Sequence, residues 1–537
     1  MKYNTHRNRR ATCTTLWLVS LLALTSLTQA AKSVNPDLTA AGVIAALKSD
    51  RGYSSRAYSE TFNLGPTGLR GWIYMDTGNP IAGQYGLITA PSRQILITLA
   101  SAPASSVVAV DDVILGAMAG SSGEVPLFTS DCRKAFGAAI GDAEKKGAGM
   151  LRVKRWRAGA ITDVNIPMAI MGNYTATAPY SCPKSALILA NARIKFVSQL
   201  LADPGFLTNN YGGAINGLAL LASMMPGDAD CAAVQTRLQS YTRSLAAVDL
   251  KQEGMFIWDW GYMGMFLSEY YLRTVEDGTP DAGVLPAIHK YTVAIAKVQS
   301  RYGTFGHGGS LLKPDGSLHG TIPPYGPVNA AGITANIAIV MGKKAILASG
   351  GKLDPEIDPA ITRASNFFGY YVNKGCIPYG EHAPDFNGHA SNGKDPMCAV
   401  LFGLQDHRLV EAEYFARMAV AGWAGRECGH TGQGLSYLWG AMGANVGGPT
   451  AVTKHLENVR WHLDLVRRTD GSFSYDGKEQ YGGGQTADGT YLGKCGYYDV
   501  SPTATYILTY ALPLRRLSIT GRNANPANAL RDRKSVV

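Results

Sequence analysis

The sequence predicts two domains of different class, a small α+β domain followed by a mainly α-helical domain. Between about residues 60 and 172, short apolar and β-branched runs alternate with turn residues, which is typical of strands. Beyond about residue 184 the apolar residues recur at spacings of three and four, the period of an amphipathic helix. The intervening residues 173–184 include Pro179 and Pro183 and are expected to form a linker.

The charge distribution argues against a nucleic-acid partner. The chain has 537 residues and a net charge of +10, and 46% of its residues are hydrophobic, enough to bury a large core. Four of the positive charges lie in the first 30 residues, which contain no acid, and a net five lie from Arg515 onward. The body is therefore almost neutral, whereas a nucleic-acid-binding domain is usually basic. Residues 515–537 are expected to form a basic tail.

The first 30 residues have the pattern of a signal peptide. A basic segment ending at Arg10 precedes an apolar run from Leu16 to Leu24, and small residues follow up to Ala30. The run is shorter than the roughly 20 residues that a membrane-spanning helix needs. The sequence therefore predicts cleavage after Ala30 and export to the periplasm or the extracellular space. No later segment predicts an integral membrane span.

The strands and the helix of the first domain follow in a definite order. Predicted strands cover Ile95–Leu99, Val110–Leu115, Leu151–Trp156 and Ile161–Ile166, and a helix covers Arg133–Ala143. Together with the Ser101–Ala104 segment, this order resembles a PDZ-like domain over residues 60–172. Upstream, the segment Gly68–Ile73 is similar to the carboxylate-binding loop of that family.

The PDZ resemblance implies a peptide site at Leu69, Gly71 and Trp72. There, backbone N–H groups would take the terminal carboxylate of a peptide while the peptide adds a strand to the sheet. The sequence departs from the family in a long insertion over residues 74–91 and in the absence of a glycine shortly before Asp111. A domain that only docks other parts of the protein is therefore an open alternative.

The second domain is predicted to consist of repeated helical units. One apolar set comprises Leu187, Ala190, Ile194, Val197 and Leu201, and similar sets run over 234–248 and 284–298. Further helices are expected within 333–347, 361–372, 410–423, 435–444, 453–467 and 503–512. Glycine-rich aromatic loops separate these helices, and Phe206, Phe256 and Phe305 recur about every 50 residues.

Helix pairs joined by such loops, together with the segment Thr469–Tyr475, resemble an (α/α) toroid of the terpenoid-cyclase and prenyltransferase type over residues 184–514. That superfamily includes lantibiotic cyclases and has polysaccharide lyases as architectural relatives. The combination of both domains is similar to an uncharacterised secreted bacterial family. The resemblance implies a ligand site in the concavity at one end of the helical ring.

Aromatic and acidic residues mark the first candidate loops. Trp258, Asp259 and Trp260 precede a predicted helix, where Asp259 suits an N-cap and the indoles suit core packing. The same trio also suits a sugar platform, because flat rings cover the C–H face of a sugar while the carboxylate takes hydroxyl groups. His307 lies in a later loop with little apolar content and is a further substrate-binding candidate.

The densest titratable loops lie later in the chain. One carries His382, Asp385, Asn387 and His389, and the next carries Arg426, Cys428 and His430 and leads into a helix with Tyr437. We predict His382, His389, His430, Asp385 and Tyr437 as catalytic residues, with Asn387 and Arg426 binding substrate. The side chains are those needed for proton transfer and charge stabilisation in β-elimination or hydrolysis of a polysaccharide.

The same residues suit two other functions. Cys428 and His430, with a distant Cys376, His382 or Cys495, would suit a zinc-dependent transferase or peptide-modifying enzyme, as the toroid resemblance also implies. No cofactor is otherwise expected. The third hypothesis is a non-catalytic scaffold that binds peptide through the PDZ-like domain. An exported carbohydrate-active lyase or hydrolase, with polysaccharide or peptide as ligand, is the interpretation that the sequence favours.

Overall fold

A computed structural model describes most of the chain. The described residues are 36–49, 61–76, 90–225, 227–324, 326–384, 393–422, 432–474 and 500–522. The predicted signal peptide lies outside these ranges, as does most of the predicted basic tail. Within them, an antiparallel sheet region is followed by a mainly helical region, as the sequence predicts.

The first region is a six-stranded antiparallel sheet with the order β1-β2-β5-β6-β7-β8. Its elements are α1 (Val43–Ser49), β1 (Thr61–Asn63), β2 (Leu69–Trp72), β3 (Met75–Asp76), β4 (Ala90–Pro91), β5 (Ile95–Ala100), β6 (Val113–Ala119), α2 (Cys132–Ala143), β7 (Met150–Arg157) and β8 (Ala160–Pro167). Strands β3 and β4 pair only with each other. Strands β7 and β8 are joined by Ala158 and Gly159, whose positive φ angles of 47° and 91° match the twist of a tight hairpin.

The sheet is covered on both faces. Helix α2 packs Phe136 and Ile140 into the core on one face. On the other face, Trp72 and Tyr74 form a smaller cluster with Leu38 and with α1. The sheet is therefore a layer between two helices rather than a surface open to solvent.

The second region comprises twelve described helices in alternating positions. They are α3 (Pro183–Ala202), α4 (Tyr211–Ser223), α5 (Cys231–Ala247), α6 (Phe256–Glu276), α7 (Leu285–Lys297), α8 (Asn329–Ala348), α9 (Ile357–Gly369), α10 (Lys394–Gly403), α11 (Leu409–Ala421), α12 (Gly432–Val446), α13 (Pro449–Leu465) and α14 (Pro502–Tyr510). The even-numbered helices α4 to α14 contact one another in a closed cycle, and the odd-numbered helices pack around them.

Burial explains which helices are inside the cycle. Every residue of α14, and every residue of α4 after Tyr211, is buried, as is α8 from Asn329 to Gly342. By contrast, α5 buries one stripe, including Val234, Leu238 and Leu245. Helices that are apolar on all sides occupy the centre, whereas amphipathic helices cover them.

The interior of the cycle is filled about two helical turns below the start of α6. Trp439 of α12 donates its Nε1–H to the hydroxyl of Tyr262 of α6 over 2.9 Å, and both side chains are fully buried. These two helices are not neighbours in the cycle, so the hydrogen bond crosses its interior. Tyr262 and Trp439 therefore close the bottom of any concavity at the N-terminal ends of the inner helices.

Helix α3 has a different buried face from the one the spacing suggested. The predicted helix is confirmed, but Leu187, Ile194 and Leu201 are 41%, 65% and 47% exposed, and of the spaced set only Val197 is buried. The helix instead buries Ile188, Phe196 and Leu200. Because α3 is apolar on more than one face, spacing alone does not identify the face that meets its neighbours.

The two regions share one continuous hydrophobic core. Helix α2 crosses α13 so closely that a Cβ on Gly137 would clash with the Trp461 backbone. At the C-terminus, Ser518 and Ile519 donate backbone N–H groups to buried Glu269, and Arg522 contacts Glu276 over 3.1 Å. The predicted basic tail therefore begins with residues that are packed against the helices.

One described helix, α8, is long and apolar enough to cross a membrane. However, 83% of its most apolar window is buried inside the protein, as expected of a core helix.

Candidate functional site

The inner helices begin at one end of the cycle, and we call this end the rim. It comprises the first turns of α4, α6, α8, α10, α12 and α14 with the loop residues 302–324, 326–328 and 375–384. Gly261 approaches Ala335 and Gly264 approaches Ala338, so α6 and α8 run in parallel. At the start of α8, Asn329 donates its side-chain N–H groups to the carbonyls of Pro378 and Gly380 over 3.0 and 2.8 Å. Several helix N-termini, each with partial positive charge, therefore meet at the rim.

His307 is held at the rim by Trp258. The indole Nε1–H of Trp258 donates to Nδ1 of His307 over 2.9 Å, and the Ile257 backbone N–H donates to the His307 carbonyl. Because Nδ1 accepts a hydrogen bond, the neutral imidazole carries its proton on Nε2. The structure thus brings together two predicted substrate-binding residues that are 49 positions apart and fixes the tautomer of the imidazole.

The remaining members of the tryptophan trio have structural partners. Asp259 lies within α6 rather than before it, and its Oδ1 accepts from the backbone N–H of Tyr211 over 2.9 Å. It therefore caps the neighbouring helix α4 rather than its own. Trp258 and Trp260 are only 3% and 4% exposed, and the Trp260 ring packs 4.5 Å from that of Phe256. Neither indole presents an open face for sugar stacking in this conformation.

Tyr437 lies in a buried group with two residues that the sequence did not single out. Its ring stacks on the imidazole of His462 with 4.0 Å between centroids. His462 in turn shares a 2.7 Å hydrogen bond between Nε2 and the Tyr506 hydroxyl. All three residues are buried. The group joins α12, α13 and α14 and supplies an imidazole–phenol pair next to the rim.

A second group of buried polar side chains lies at the start of α10. Burial lowers the pKa of Lys394 to about 7, against the opposing effect of the adjacent Asp395. Burial raises the pKa of Asp395 to about 6, although its Oδ1 accepts from the Ile377 N–H over 3.0 Å and Cys376 also donates to it. Cys398, one turn further on, has its pKa raised well above the usual thiol value by burial. Perturbed groups of this kind cluster at functional sites.

Most of the densest predicted cluster lies outside the described residues. This applies to Asp385, Asn387, His389, Arg426, Cys428 and His430. His382 is described and is exposed on the loop that precedes α10. A Cβ on Gly393 would lie 2.8 Å from the Leu435 carbonyl oxygen. The start of α10 and the first turn of α12, which follow these two loops, therefore lie side by side.

The predicted peptide-binding residues lie within the sheet. Leu69, Gly71 and Trp72 are buried in β2, which is hydrogen-bonded to β1 on one edge and to β5 on the other. Strand β1 is itself attached to the helical region, because the Asn63 amide donates to the carbonyls of Leu465 and Arg467 over 2.6 and 2.8 Å. A peptide could pair with β2 only after β1 had been displaced.

Metal ligands were also predicted from the sequence. Among the described residues, no group of three or more His, Cys, Asp or Glu side chains is arranged to hold a metal ion. The five described cysteines are free thiols, and they are Cys132, Cys182, Cys231, Cys376 and Cys398. The zinc hypothesis, which rests on Cys428 and His430, stays a prediction.

Sequence reasoning missed Lys394, Asp395 and His462. The first two begin a helix after a glycine-rich loop, a position at which charged residues usually face solvent. His462 falls within an amphipathic helical pattern, where nothing in the spacing distinguishes it from a surface residue. These three residues share one feature that could have indicated a site: in the sequence each lies close to a glycine-rich loop, and each is near a residue that we predicted to be functional.

Comparison with known proteins identifies one family. A model described as a domain of unknown function (DUF6288) matches residues 187–521, which is well over half of the chain. Searches of curated proteins and of solved structures gave no match.

Proposed function

The chain belongs to the DUF6288 family, and we propose that it is an exported enzyme that cleaves a polysaccharide at the rim, by β-elimination or hydrolysis. In this proposal the helical region is an (α/α) toroid and the sheet region is a PDZ-like docking module. The closed cycle of alternating inner and outer helices supports the toroid. The continuous core between the two regions supports a docking role for the sheet.

The observation that carries the proposal is the oriented imidazole of His307. Its Nδ1 accepts from Trp258, and the residue is partly exposed at the rim. In β-elimination a base removes the proton next to the sugar carboxylate, and an acid protonates the departing glycosidic oxygen. In hydrolysis the base instead activates water. Because the neutral His307 ring carries its proton on Nε2 and its Nδ1 accepts from Trp258, this imidazole does not serve as the base. It suits the complementary task of donating a hydrogen bond to a substrate oxygen on which negative charge develops, while another histidine such as His382 serves as the base.

Further proton-transfer groups belong to other elements that begin at the rim. His382 is exposed on the next loop, and the Tyr506–His462 pair lies behind the start of α14. Lys394, whose pKa is lowered by burial, lies at the start of α10 beside Asp395. Their combined presence supports acid–base chemistry more than simple ligand binding.

The test is a screen of anionic and neutral polysaccharides with the mature protein and two histidine variants. Lyase action is read from the ultraviolet absorbance of the new C=C bond, and hydrolysis is read from reducing ends without that absorbance. The variant His307→Ala should lower the rate on the order of 10²–10³-fold, as expected when a donor to a developing negative charge is lost. The control His407→Ala removes an exposed histidine that follows α10, at the opposite end from the rim, and should leave the rate unchanged.

Two results would count against the proposal. One is the absence of product from every polysaccharide tested. The other is an equal rate for both variants, or a loss in His307→Ala that merely follows a loss of melting temperature.

A zinc-dependent transferase or peptide-modifying enzyme is the second candidate. It is favoured by the contact of Cys376 with Asp395 beside the start of α10, close to the described end of the loop that carries Cys428 and His430. A thiolate and a carboxylate are ordinary zinc ligands. Elemental analysis of the purified protein tests this candidate, since stoichiometric zinc that is lost in Cys376→Ser would support it over the polysaccharide enzyme.

A further inference from the structure

A second cavity lies away from the rim, between α5 and α6 and beside the end of α4. Its volume is about 390 Å³. From α5 it is lined by Ala232, Gln235, Thr236 and Gln239, and from α6 by Tyr270, Arg273, Thr274 and Asp277. Both sets have the spacing i, i+3, i+4, i+7, so each forms a continuous stripe on its helix. The cavity is therefore a groove between two polar helix faces.

Arg273 indicates that the groove is built to hold a ligand. The side chain is about 97% buried, and its Nε donates to Asp277 over 2.8 Å. Its Nη1 is buried and makes no hydrogen bond to any residue in the part of the chain that the structure describes. A buried guanidinium donor without an acceptor is costly, and a small shift of the side chain towards the groove that it lines would let a ligand oxygen remove that cost.

The carboxylate of Asp281 in the groove is already paired with other side chains. Asp281 accepts hydrogen bonds from Arg243 over 2.6 and 2.8 Å and from the Tyr270 hydroxyl over 3.0 Å. Burial would raise the pKa of Asp281, but these bonds hold it below its usual value, so the carboxylate stays ionised. Carboxylate oxygens fixed in this way accept hydroxyl hydrogens and disfavour an anionic ligand.

The groove also has an apolar part. Leu221, Met224 and Leu238 line it and are almost fully buried. These side chains form the base of the groove, so a ligand would meet mainly the amide, hydroxyl, guanidinium and carboxylate groups of the two helix faces, with the exposed Ala232 beside them. A sugar offers the several hydroxyl groups that such a lining can bind, and the volume of the groove suits roughly one to three sugar rings.

We propose that the groove between α5 and α6 is a binding site for a neutral saccharide. The site is separate from the rim, because Arg273 is 15 residues beyond Trp258 on the same helix, or roughly 22 Å at 1.5 Å per residue. It therefore does not depend on the reaction proposed at the rim. The binding site stands by itself; its further role, which rests on the proposed function, is to hold a carbohydrate chain at a distance from the reaction centre.

The experiment uses two alanines that are neighbours on α5. Ala232 lines the groove, whereas Ala233 is exposed on another face of the helix. Binding of maltotriose, cellotriose, xylotriose and triacetylchitotriose to the full-length mature protein is measured by titration calorimetry, with trigalacturonate as the anionic comparison. The variants are Ala232→Trp, which fills the groove, Gln235→Ala, which removes an amide, and the matched control Ala233→Trp.

At least one neutral trisaccharide should bind to wild type and to Ala233→Trp with the same Kd. Its affinity should fall at least tenfold in Ala232→Trp and severalfold in Gln235→Ala, with melting temperatures unchanged. The proposal is overturned if no neutral trisaccharide binds, if only trigalacturonate binds, or if Ala232→Trp binds as well as the control. Because catalysis at the rim is assayed separately, either proposal can fail without the other.

Discussion

At the residue scale, a buried ionic group between the two regions carries much of the structural specificity. Glu144, which ends α2, makes paired hydrogen bonds of 2.8 and 2.6 Å with Arg467 and an ion pair of 2.8 Å with Lys184. Arg467 also binds Asp464 over 2.8 Å. The four side chains are at most 7% exposed, and two acids balance two bases. Removing any one of them would leave a buried charge without compensation.

We predict that Glu144→Gln lowers the free energy of unfolding by about 3–5 kcal/mol, because Lys184 and Arg467 are left with one negative charge between them. The measurement is denaturant unfolding at neutral pH. The control is Glu124→Gln, since Glu124 is 89% exposed and 3.8 Å from Lys154, and its loss should cost at most about 0.5 kcal/mol. Equal losses in the two variants would show that the buried group adds nothing.

The stability difference between wild type and Glu144→Gln should also depend on pH. Burial would raise the pKa of Glu144, but Arg467 and Lys184 outweigh it and hold the pKa below the ordinary value of 4.5. A carboxyl whose pKa is lowered by folding stabilises the protein above that ordinary value, and this contribution is lost as the pH falls. The stability difference between wild type and Glu144→Gln should therefore be constant near neutrality and shrink below about pH 4.5. A difference that grows on acidification would contradict this account.

At the scale of elements, glycine residues of helix α2 allow it to pack closely against α13. A Cβ on Gly137 would clash with the Trp461 backbone, and one on Gly141 would lie 2.9 Å from the Asp464 carboxylate. Beside this crossing, Arg133 lies over the rings of Phe62 and Trp461 at 5.5 and 5.3 Å. The crossing therefore depends on close backbone approach and cannot expand without breaking these contacts.

We predict that two glycine-to-alanine substitutions have different effects on the stability of the protein. Alanine favours a helix by up to about 1 kcal/mol over glycine, yet Gly137→Ala should destabilise the protein by about 1–3 kcal/mol because backbone must move. Gly369→Ala, at the end of α9, has no atom within 3.9 Å of the new Cβ and should be neutral or slightly stabilising. Both are measured by melting temperature, and a stabilising Gly137→Ala would refute the close crossing.

The elements also show where sequence reasoning succeeded. The periodic sets of α5 and α7 correctly gave buried residues such as Leu238, Tyr241 and Tyr291, because those helices are apolar on one face only. In α3 the same reasoning chose an exposed face, since Ile188 and Leu189 sit beside Leu187. At the rim, the composition of the loops indicated His307 and Trp258, but their hydrogen bond joins residues of different elements and could not be derived from spacing.

At the scale of the whole molecule, the sheet region and the helical region are packed against each other. They share a continuous core, and the Glu144–Arg467 contacts cross between them. The composition shift near residue 180 predicted two domains, and it correctly located the change of architecture. It could not indicate that the regions share a core, because the contacting residues are more than 300 positions apart.

We predict a single cooperative unfolding transition for the mature protein. Two domains joined only by a linker would unfold in separate steps, whereas a shared core couples them. The measurement is differential scanning calorimetry compared with circular dichroism, which should give coincident transitions. Glu144→Gln is the informative variant, because weakening the shared boundary should lower the transition or split it. Two well-separated transitions in the wild type would contradict the single core.

The most direct test of a reaction centre at the rim is a crystal structure of the protein with an oligosaccharide product of its own reaction. The account predicts density for a sugar beside the first turns of α6 and α8, with an oxygen within about 3 Å of the His307 imidazole. A second sugar in the α5–α6 groove is compatible with this result. Product bound only in that groove, or only on the sheet region, with the rim empty, would contradict the central claim.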